Sequence, residues 1–176
     1  MVIWLIGLSG SGKTTLGSRI YAIWKEIDKS TVVIDGDEIR EIFKHNRSND
    51  AYTIEGRSDN AERICALCAW LDRQDINVVC NILSLFHESR IWNRENYSKY
   101  YEVFISVPMG ILKKRDNKNI YAQAYSGKMK NVVGVDIPFV PPVNPDYIFE
   151  NHTDNIDMDK IALDILNQAG VYNRRS

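Results

Sequence analysis

Apolar and polar positions alternate along this chain in blocks of two kinds: short, nearly continuous apolar runs and longer stretches with helical spacing. "VIWLIGL" (2–8) is an apolar run bounded by glycines, and it predicts a buried strand. A glycine-rich turn follows, then helical spacing from about Lys13 to Ile27. Further apolar runs at 31–37, 77–83, 101–108 and 145–151 predict four more strands. Helical spacing recurs at 57–74, at 87–100, around "GILKKRDN", and at 157–170, where Asp157 suits an N-cap and Gly170 a stop. Strands alternating with helices of this length predict crossover connections and an α/β fold with a parallel sheet covered on both faces. Two segments lack periodicity, 44–58 and 126–146. The second holds all but one of the prolines, and aperiodic loops of this length in a small domain are expected to bind or to act as lids.

Composition narrows the function classes. At 176 residues the chain predicts one domain over 1–176. Apolar residues make up 44% and charged residues 26%, a soluble globular balance. The net charge of −1 supplies no basic field for nucleic acid or for an anionic membrane. No apolar run is long enough to span a bilayer, and the first has no basic flank, so a cytoplasmic location is expected. Cys65 and Cys68 share a helical stripe with Ala61, Ile64 and Leu71, and Cys80 sits in a strand-like run, so all three cysteines read as buried core thiols.

The chemistry is concentrated in "GLSGSGKTT" (7–15). Gly7, Gly12, Lys13 and Thr14 match G-x-x-x-x-G-K-[ST], between a buried strand and a helix as that motif requires. Backbone N–H groups turned inward, the helix N-terminus and the Lys13 ammonium together suit the phosphates of ATP. The contacting set is Gly7, Ser9, Gly10, Ser11, Gly12, Lys13, Thr14 and Thr15, with the Thr14 hydroxyl a ligand for Mg²⁺. A nucleotide switch would need a base-reading N-K-x-D, and "NKNI" (117–120) lacks the aspartate, so a small-molecule kinase is the expected class. Asp35 and Asp37 bracket Gly36 at the end of the second strand, on the edge of the sheet where α/β proteins bind ligands. There a carboxylate can accept a hydroxyl proton or hold the hydration shell of Mg²⁺, and Asp37 also suits a helix cap.

The ordered set "GLSGSGKTT", "DGDEIR" (35–40), Arg57, Asn60 and Arg63, "EVFI..P" (102–108), "RDNKNIY" (115–121) and "GVDIPFVPPVNPD" (134–146) resembles the adenylyl-sulfate kinases. These phosphorylate the 3′-hydroxyl of adenosine 5′-phosphosulfate. The resemblance implies a P-loop fold of the nucleoside-monophosphate-kinase type, a three-layer sandwich with a five-stranded parallel sheet. It implies catalytic roles for Lys13, Asp35, Asp37 and Lys118, with Asp35 beside Thr14 as a metal ligand. Arg40, Arg57 and Asn60 would hold the acceptor's phosphosulfate and sugar together with Asp37 and Lys118. Arg115 and the 130–145 loop would cover the ATP.

The departures fall on the acceptor side. Where the family shows S-P-[FY]-R, this chain has Ser84-Leu85-Phe86-His87, and where the family shows G-F-S it has Ala51-Tyr52-Thr53. Tyr52 can still stack on a base. Phe86 and His87 are expected to touch the acceptor, and Ser84 keeps the position of a serine that is phosphorylated in some members. A histidine offers no bidentate fork, so weaker binding of a phosphosulfate head is expected, with His87→Arg improving it. Adenosine 5′-phosphosulfate is the first acceptor, cytidine diphosphoramidate the alternative, and a catalytically inactive nucleotide-binding regulator the alternative of another class. ATP and Mg²⁺ are the expected cofactors, a small-molecule nucleotide the expected partner, without nucleic acid or membrane, and a homodimer the expected assembly.

Overall fold

The computed structural model describes residues 1–44, 49–116, 118–153 and 155–171. In chain order the elements are β1 (Val2–Ile6), α1 (Lys13–Ile27), β2 (Thr31–Asp35), α2 (Gly36–Ile42), a 3₁₀ turn at Asn49–Tyr52, α3 (Ile54–Asp72), β3 (Asn77–Ile82), α4 (His87–Asn96), β4 (Tyr100–Ser106), α5 (Met109–Lys114), α6 (Ile120–Tyr125), β5 (Tyr147–Glu150) and α7 (Met158–Gln168). The five strands form one parallel sheet in the order β2-β3-β1-β4-β5. β1, wholly buried, lies at its centre.

Strand alternation sorts the core into two layers. Ile3, Leu5, Val79, Val103 and Ile105 face Leu16, Ile20 and Trp24 of α1 and Ile165 and Leu166 of α7. Val2, Trp4, Ile6, Val78, Cys80 and Ile82 point to the other face, against Ile64, Cys65 and Cys68 of α3. The three-layer sandwich is therefore a consequence of period-2 strands that are apolar on both sides. The cysteines are free and buried, and burial pushes the Cys65 thiol up to about 12, so they pack as the sequence implied. Among the described residues no helix is long and apolar enough to cross a membrane.

The differences from the sequence expectations are local. β2 stops at Asp35 because that side chain caps a new helix, with Oδ1 accepting the Asp37 N–H at 2.9 Å; Asp35, not Asp37, is the cap. α3 starts at Ile54, earlier than the apolar spacing shows, because Thr53 Oγ1 accepts the Gly56 N–H at 3.2 Å. The short helix α6 is missed by the periodicity.

The segment 126–146 is anchored rather than free. Val132, Val133 and Ile137 are buried, and the Asp136 carboxylate accepts the N–H groups of Asn131 and Val132, each at 2.6 Å. Phe139 stacks on Phe104 with centroids 6.1 Å apart, and Asp146 accepts the Glu102 N–H at 2.7 Å.

Asp157 caps α7 as expected, accepting the N–H groups of Asp159 and Lys160 at 3.1 Å each, and Gly170 ends it with φ 72°. Asp157→Ala removes both bonds. A loss of about 1 kcal/mol is expected, which lowers the thermal midpoint by about 3 °C for a domain of this size, read by circular dichroism.

Candidate active site

The glycine loop leaves the carboxyl end of β1 and opens α1. Gly10 and Gly12 take φ of 75° and 97°, a region closed to most side chains. At Gly12 a Cβ would also sit 2.9 Å from Asn151 Nδ2. Two side chains tie carbonyls of the loop to distant parts of the chain. Tyr121 Oη donates to Ser9 O at 2.9 Å, and Asn151 Nδ2 donates to Ser11 O at 2.9 Å. Ser9, Gly10, Gly12, Lys13, Thr14 and Thr15 line the cavity, whereas Gly7 and Ser11 are buried behind its wall. Lys13 Nζ donates to Gly7 O and Leu8 O, each at 2.8 Å. Burial pulls the Lys13 pKa down to about 8, against the upward pull of Asp35 and Asp37.

The aspartates divide their work. Asp35 spends Oδ1 on the α2 cap and turns Oδ2 toward Thr14, whose Oγ1 lies 3.2 Å away. Asp37 is exposed, with Oδ1 3.0 Å from Arg40 Nη1 and Oδ2 3.4 Å from Lys118 Nζ. Beyond them Arg40, itself buried, and Arg57 flank the Tyr52 ring, their guanidinium carbons 4.9 and 5.5 Å from its centroid. Arg57 Nε donates to Tyr52 O at 2.9 Å and Nη2 to Asn131 O at 2.8 Å, which ties the 49–52 turn to the 129–133 stretch. Burial, and then the charge of Arg40, lower the Arg57 pKa. Asn60 Nδ2 approaches Gly36 O at 3.4 Å, and Asn60 Oδ1 has no partner among the described residues. Arg40 Nε is likewise unpartnered. Together these groups form a wall of donors facing the glycine loop.

The third wall is the turn after β3. Ser84 has φ 55° and is buried, and its Oγ accepts the Trp4 indole N–H at 3.2 Å. Ser84 also lines the cavity, at the wall that the Trp4 indole supports from the core side. Phe86 lines the cavity; His87 is exposed at the start of α4 and lies outside the lining, its Nδ1 3.4 Å from Arg90 Nη2. The expectation that His87 meets the acceptor's anionic head directly is therefore not supported by the geometry. Arg90, absent from the sequence reading, is buried and donates from Nη1 to Ser84 O at 3.0 Å and to Phe86 O at 3.3 Å. On the opposite side Arg115 donates to the carbonyls of Asn151 and Thr153, both at 3.2 Å, where the chain leaves β5.

The cavity these walls enclose measures about 1190 Å³. A site for one drug-sized ligand rarely exceeds about 1,000 Å³, so there is room for a nucleotide on the loop and another against the arginine wall. Thr14 and Asp35 are hard oxygen donors of the kind Mg²⁺ takes. No cluster of three or more His, Cys, Asp or Glu exists among the described residues, so a cation there would take most of its remaining ligands from nucleotide phosphates and water.

A glycine loop after the central strand, a lysine beneath it and a carboxylate pair where β2, two strands away, passes into α2 define a P-loop kinase. The fold recurs in solved structures: shikimate kinase of Aquifex aeolicus shares it at TM-score 0.54 and 17% identity, covering 97% of this chain and 96% of that one. The family model for adenylylsulphate kinase matches residues 1–150. Among relatives, the chain is 38% identical to the cytidine diphosphoramidate kinase of Campylobacter jejuni over 162 residues, covering 92% of each. It is 32% identical to the adenylyl-sulfate kinase of Gloeothece citriformis over 168 residues, covering 96% of this chain and 93% of that one. The structure of the Mycobacterium tuberculosis APS kinase CysC in complex with AMPPNP and APS superposes at TM-score 0.83 with 25% identity, covering 96% of each chain. This chain belongs to the adenylylsulphate kinase family.

The lowered Lys13 pKa has a measurable consequence. Phosphate oxygens beside the ammonium favour its charged form, so nucleotide binding raises that pKa above about 8. Binding then takes up a proton above that pH, and affinity falls by up to tenfold per pH unit until the bound-state pKa is reached. Calorimetric titration with AMPPNP is expected to show a flat Kd below about pH 7 and a steady weakening from about pH 8 upward. A Kd unchanged through about pH 9.5 contradicts the assignment of Lys13 to the phosphates.

Proposed function

We propose that this protein transfers the γ-phosphoryl group of ATP to the ribose 3′-hydroxyl of a nucleotide that carries a second anionic group, with adenosine 5′-phosphosulfate as the first acceptor. One observation carries the reading: Asp37 sits between the phosphate loop and a separate arginine wall inside one cavity, held by Arg40 at 3.0 Å and Lys118 at 3.4 Å. A hydrolase needs no second anion wall of this kind. ATP fits the loop side, with Arg115, Asn151, Thr153 and Ile156 beside the base. The acceptor fits the other side, its anionic head toward Arg40 and Arg57 and its base near Tyr52 and Phe86.

In the reaction the bond between the γ-phosphorus and the β,γ-bridging oxygen breaks and a bond from the acceptor hydroxyl oxygen to that phosphorus forms. ADP leaves with the bridging electrons, and the hydroxyl proton passes to the Asp37 carboxylate and on to solvent. Lys13 and the loop N–H groups offset charge on the β- and γ-phosphates, and Lys118 follows the transferred group. Thr14 and Asp35 would hold Mg²⁺, which when bound neutralises phosphate charge and fixes the γ-phosphoryl orientation. Direct in-line transfer of this kind needs no phosphorylated intermediate on Ser84, whose Oγ accepts from the Trp4 indole. The segment that closes over the nucleotides is proposed to be 129–133, next to Arg57, rather than all of 126–146. The protein is taken as a cytoplasmic homodimer acting on free nucleotides.

A second reading has a specific observation in its favour. The 38% identity to a cytidine diphosphoramidate kinase exceeds the 32% to an adenylyl-sulfate kinase, and the chain lacks the proline and arginine after Ser84. Cytidine diphosphoramidate presents a comparable anionic head to the same arginines. Labelled ATP with each acceptor in turn separates the readings. Label is expected on the 3′-oxygen of at least one acceptor. A kcat/KM for cytidine diphosphoramidate above that for adenosine 5′-phosphosulfate moves the acceptor to the second reading. No transfer to either, with ATP still bound, overturns both and leaves an inactive nucleotide-binding regulator.

A further inference from the structure

Asn81, the fifth residue of β3, is a buried amide inside an otherwise apolar run, and its Oδ1 has no hydrogen-bond partner among the described residues. An unpartnered buried amide is costly, so a strand keeps one for a reason that lies outside the strand. Its surroundings follow from sheet parity. Val78, Cys80 and Ile82 face the α3 layer, whereas Val79 faces α1 and α7, so Asn81 faces α1. On β2, Val32 and Ile34 face the α3 layer, which puts Asp35 on the α1 face as well.

Asp35 and Asn81 are direct partners in the β2–β3 register, side by side on strands about 4.8 Å apart. Thr14, at the start of α1, reaches the same point with Oγ1 3.2 Å from Asp35 Oδ2. One turn further along α1, Gly17 makes space for the amide: a Cβ there would collide with Asn81 Oδ1 and Cγ. Gly17 has ordinary helical geometry in the middle of a helix, where glycine is unfavourable, so the Asn81 side chain accounts for it. Asn81 also lines the nucleotide cavity.

We propose that the Asn81 carboxamide belongs to the cation site of Thr14 and Asp35, hydrogen-bonding the water shell of Mg²⁺ bound with ATP. This rests on the assignment of Thr14 and Asp35 to the cation made above. A carboxamide suits the task because it offers both a donor and an acceptor, exchanged by a half-turn of its last torsion, to waters that the charged ligand polarises. It adds no charge to a site where Asp35 already supplies one. Asn81 is a positioning residue: it acts on the cation's waters and not on the reacting phosphorus.

The test reads metal binding rather than turnover. Binding of AMPPNP is titrated by calorimetry without divalent cation and with increasing Mg²⁺, and Mn²⁺ bound to the protein–AMPPNP complex is followed by electron paramagnetic resonance. In the wild type Mg²⁺ is expected to tighten AMPPNP binding. Asn81→Ala is expected to leave the metal-free Kd within about twofold and to raise the half-saturating Mg²⁺ concentration by about 10- to 100-fold, with an altered Mn²⁺ spectrum. The pair Gly17→Ala with Asn81→Ala refills the vacated space without restoring the amide, and it is expected to keep the weak Mg²⁺ response. Full recovery of that response in the double variant would overturn the proposal in favour of a packing role, as would an unchanged Mg²⁺ dependence in Asn81→Ala. If the wild type itself shows no Mg²⁺ effect, the assignment of Thr14 and Asp35 falls first and Asn81 with it.

Discussion

The structure turns on one constraint: a lysine ammonium sunk beneath a glycine loop must have anions to face. Among the described residues Lys13 has the carbonyls of Gly7 and Leu8 as its direct partners, at 2.8 Å, with Asp35 and Asp37 further off. Burial works against its charge, and its lowered pKa records that cost. Most of the architecture serves to keep this charge where a polyphosphate would meet it. β1 anchors the loop at the centre of the sheet, and Tyr121 and Asn151 fix two of its carbonyls, those of Ser9 and Ser11.

From that fixed charge the rest of the site follows by division of labour. Two aspartates a residue apart are given different tasks by the helix that starts between them. Asp35 is bound to the cap and to Thr14, whereas Asp37 stands free of the backbone and is balanced by Arg40 and Lys118. Arg40, Tyr52 and Arg57 form a cationic and aromatic wall in which burial, and then the charge of Arg40, pull down the Arg57 pKa and the nearby Asp37 and Asp136 carboxylates oppose it. The exposed Asp37–Lys118 pair contributes little to stability, and its value lies in placing a carboxylate.

The sequence made legible whatever is encoded locally. Apolar runs marked the five strands to within a few residues, and the G-x-x-x-x-G-K-T and D-G-D spacings pointed to the loop and the aspartates because each motif is contiguous. Residues whose roles arise only when distant segments meet stayed hidden. Asn151 and Tyr121 touch the loop from 140 and 112 residues away, and Asn81 sits in a run whose apolar character masked it. Arg90 shows no motif because it bonds backbone carbonyls, which any sequence supplies. The 126–146 stretch read as aperiodic because its anchors are one side chain, Asp136, bonding two backbone N–H groups, and single apolar residues rather than a repeating pattern. His87 carried a family position into a place that the cavity does not reach.

The most direct test of the account is transfer of labelled γ-phosphoryl from ATP to the preferred acceptor by Lys13→Ala beside the wild type, with thermal melts of both. Lys13 faces the phosphate cradle and not either core layer, so the variant is expected to melt within about 2 °C of the wild type. Its rate of transfer is expected to fall at least about a thousandfold, because charge stabilisation at the phosphoryl group is the protein's main contribution to this chemistry. A folded Lys13→Ala protein that transfers phosphoryl at near wild-type rate would contradict the central claim.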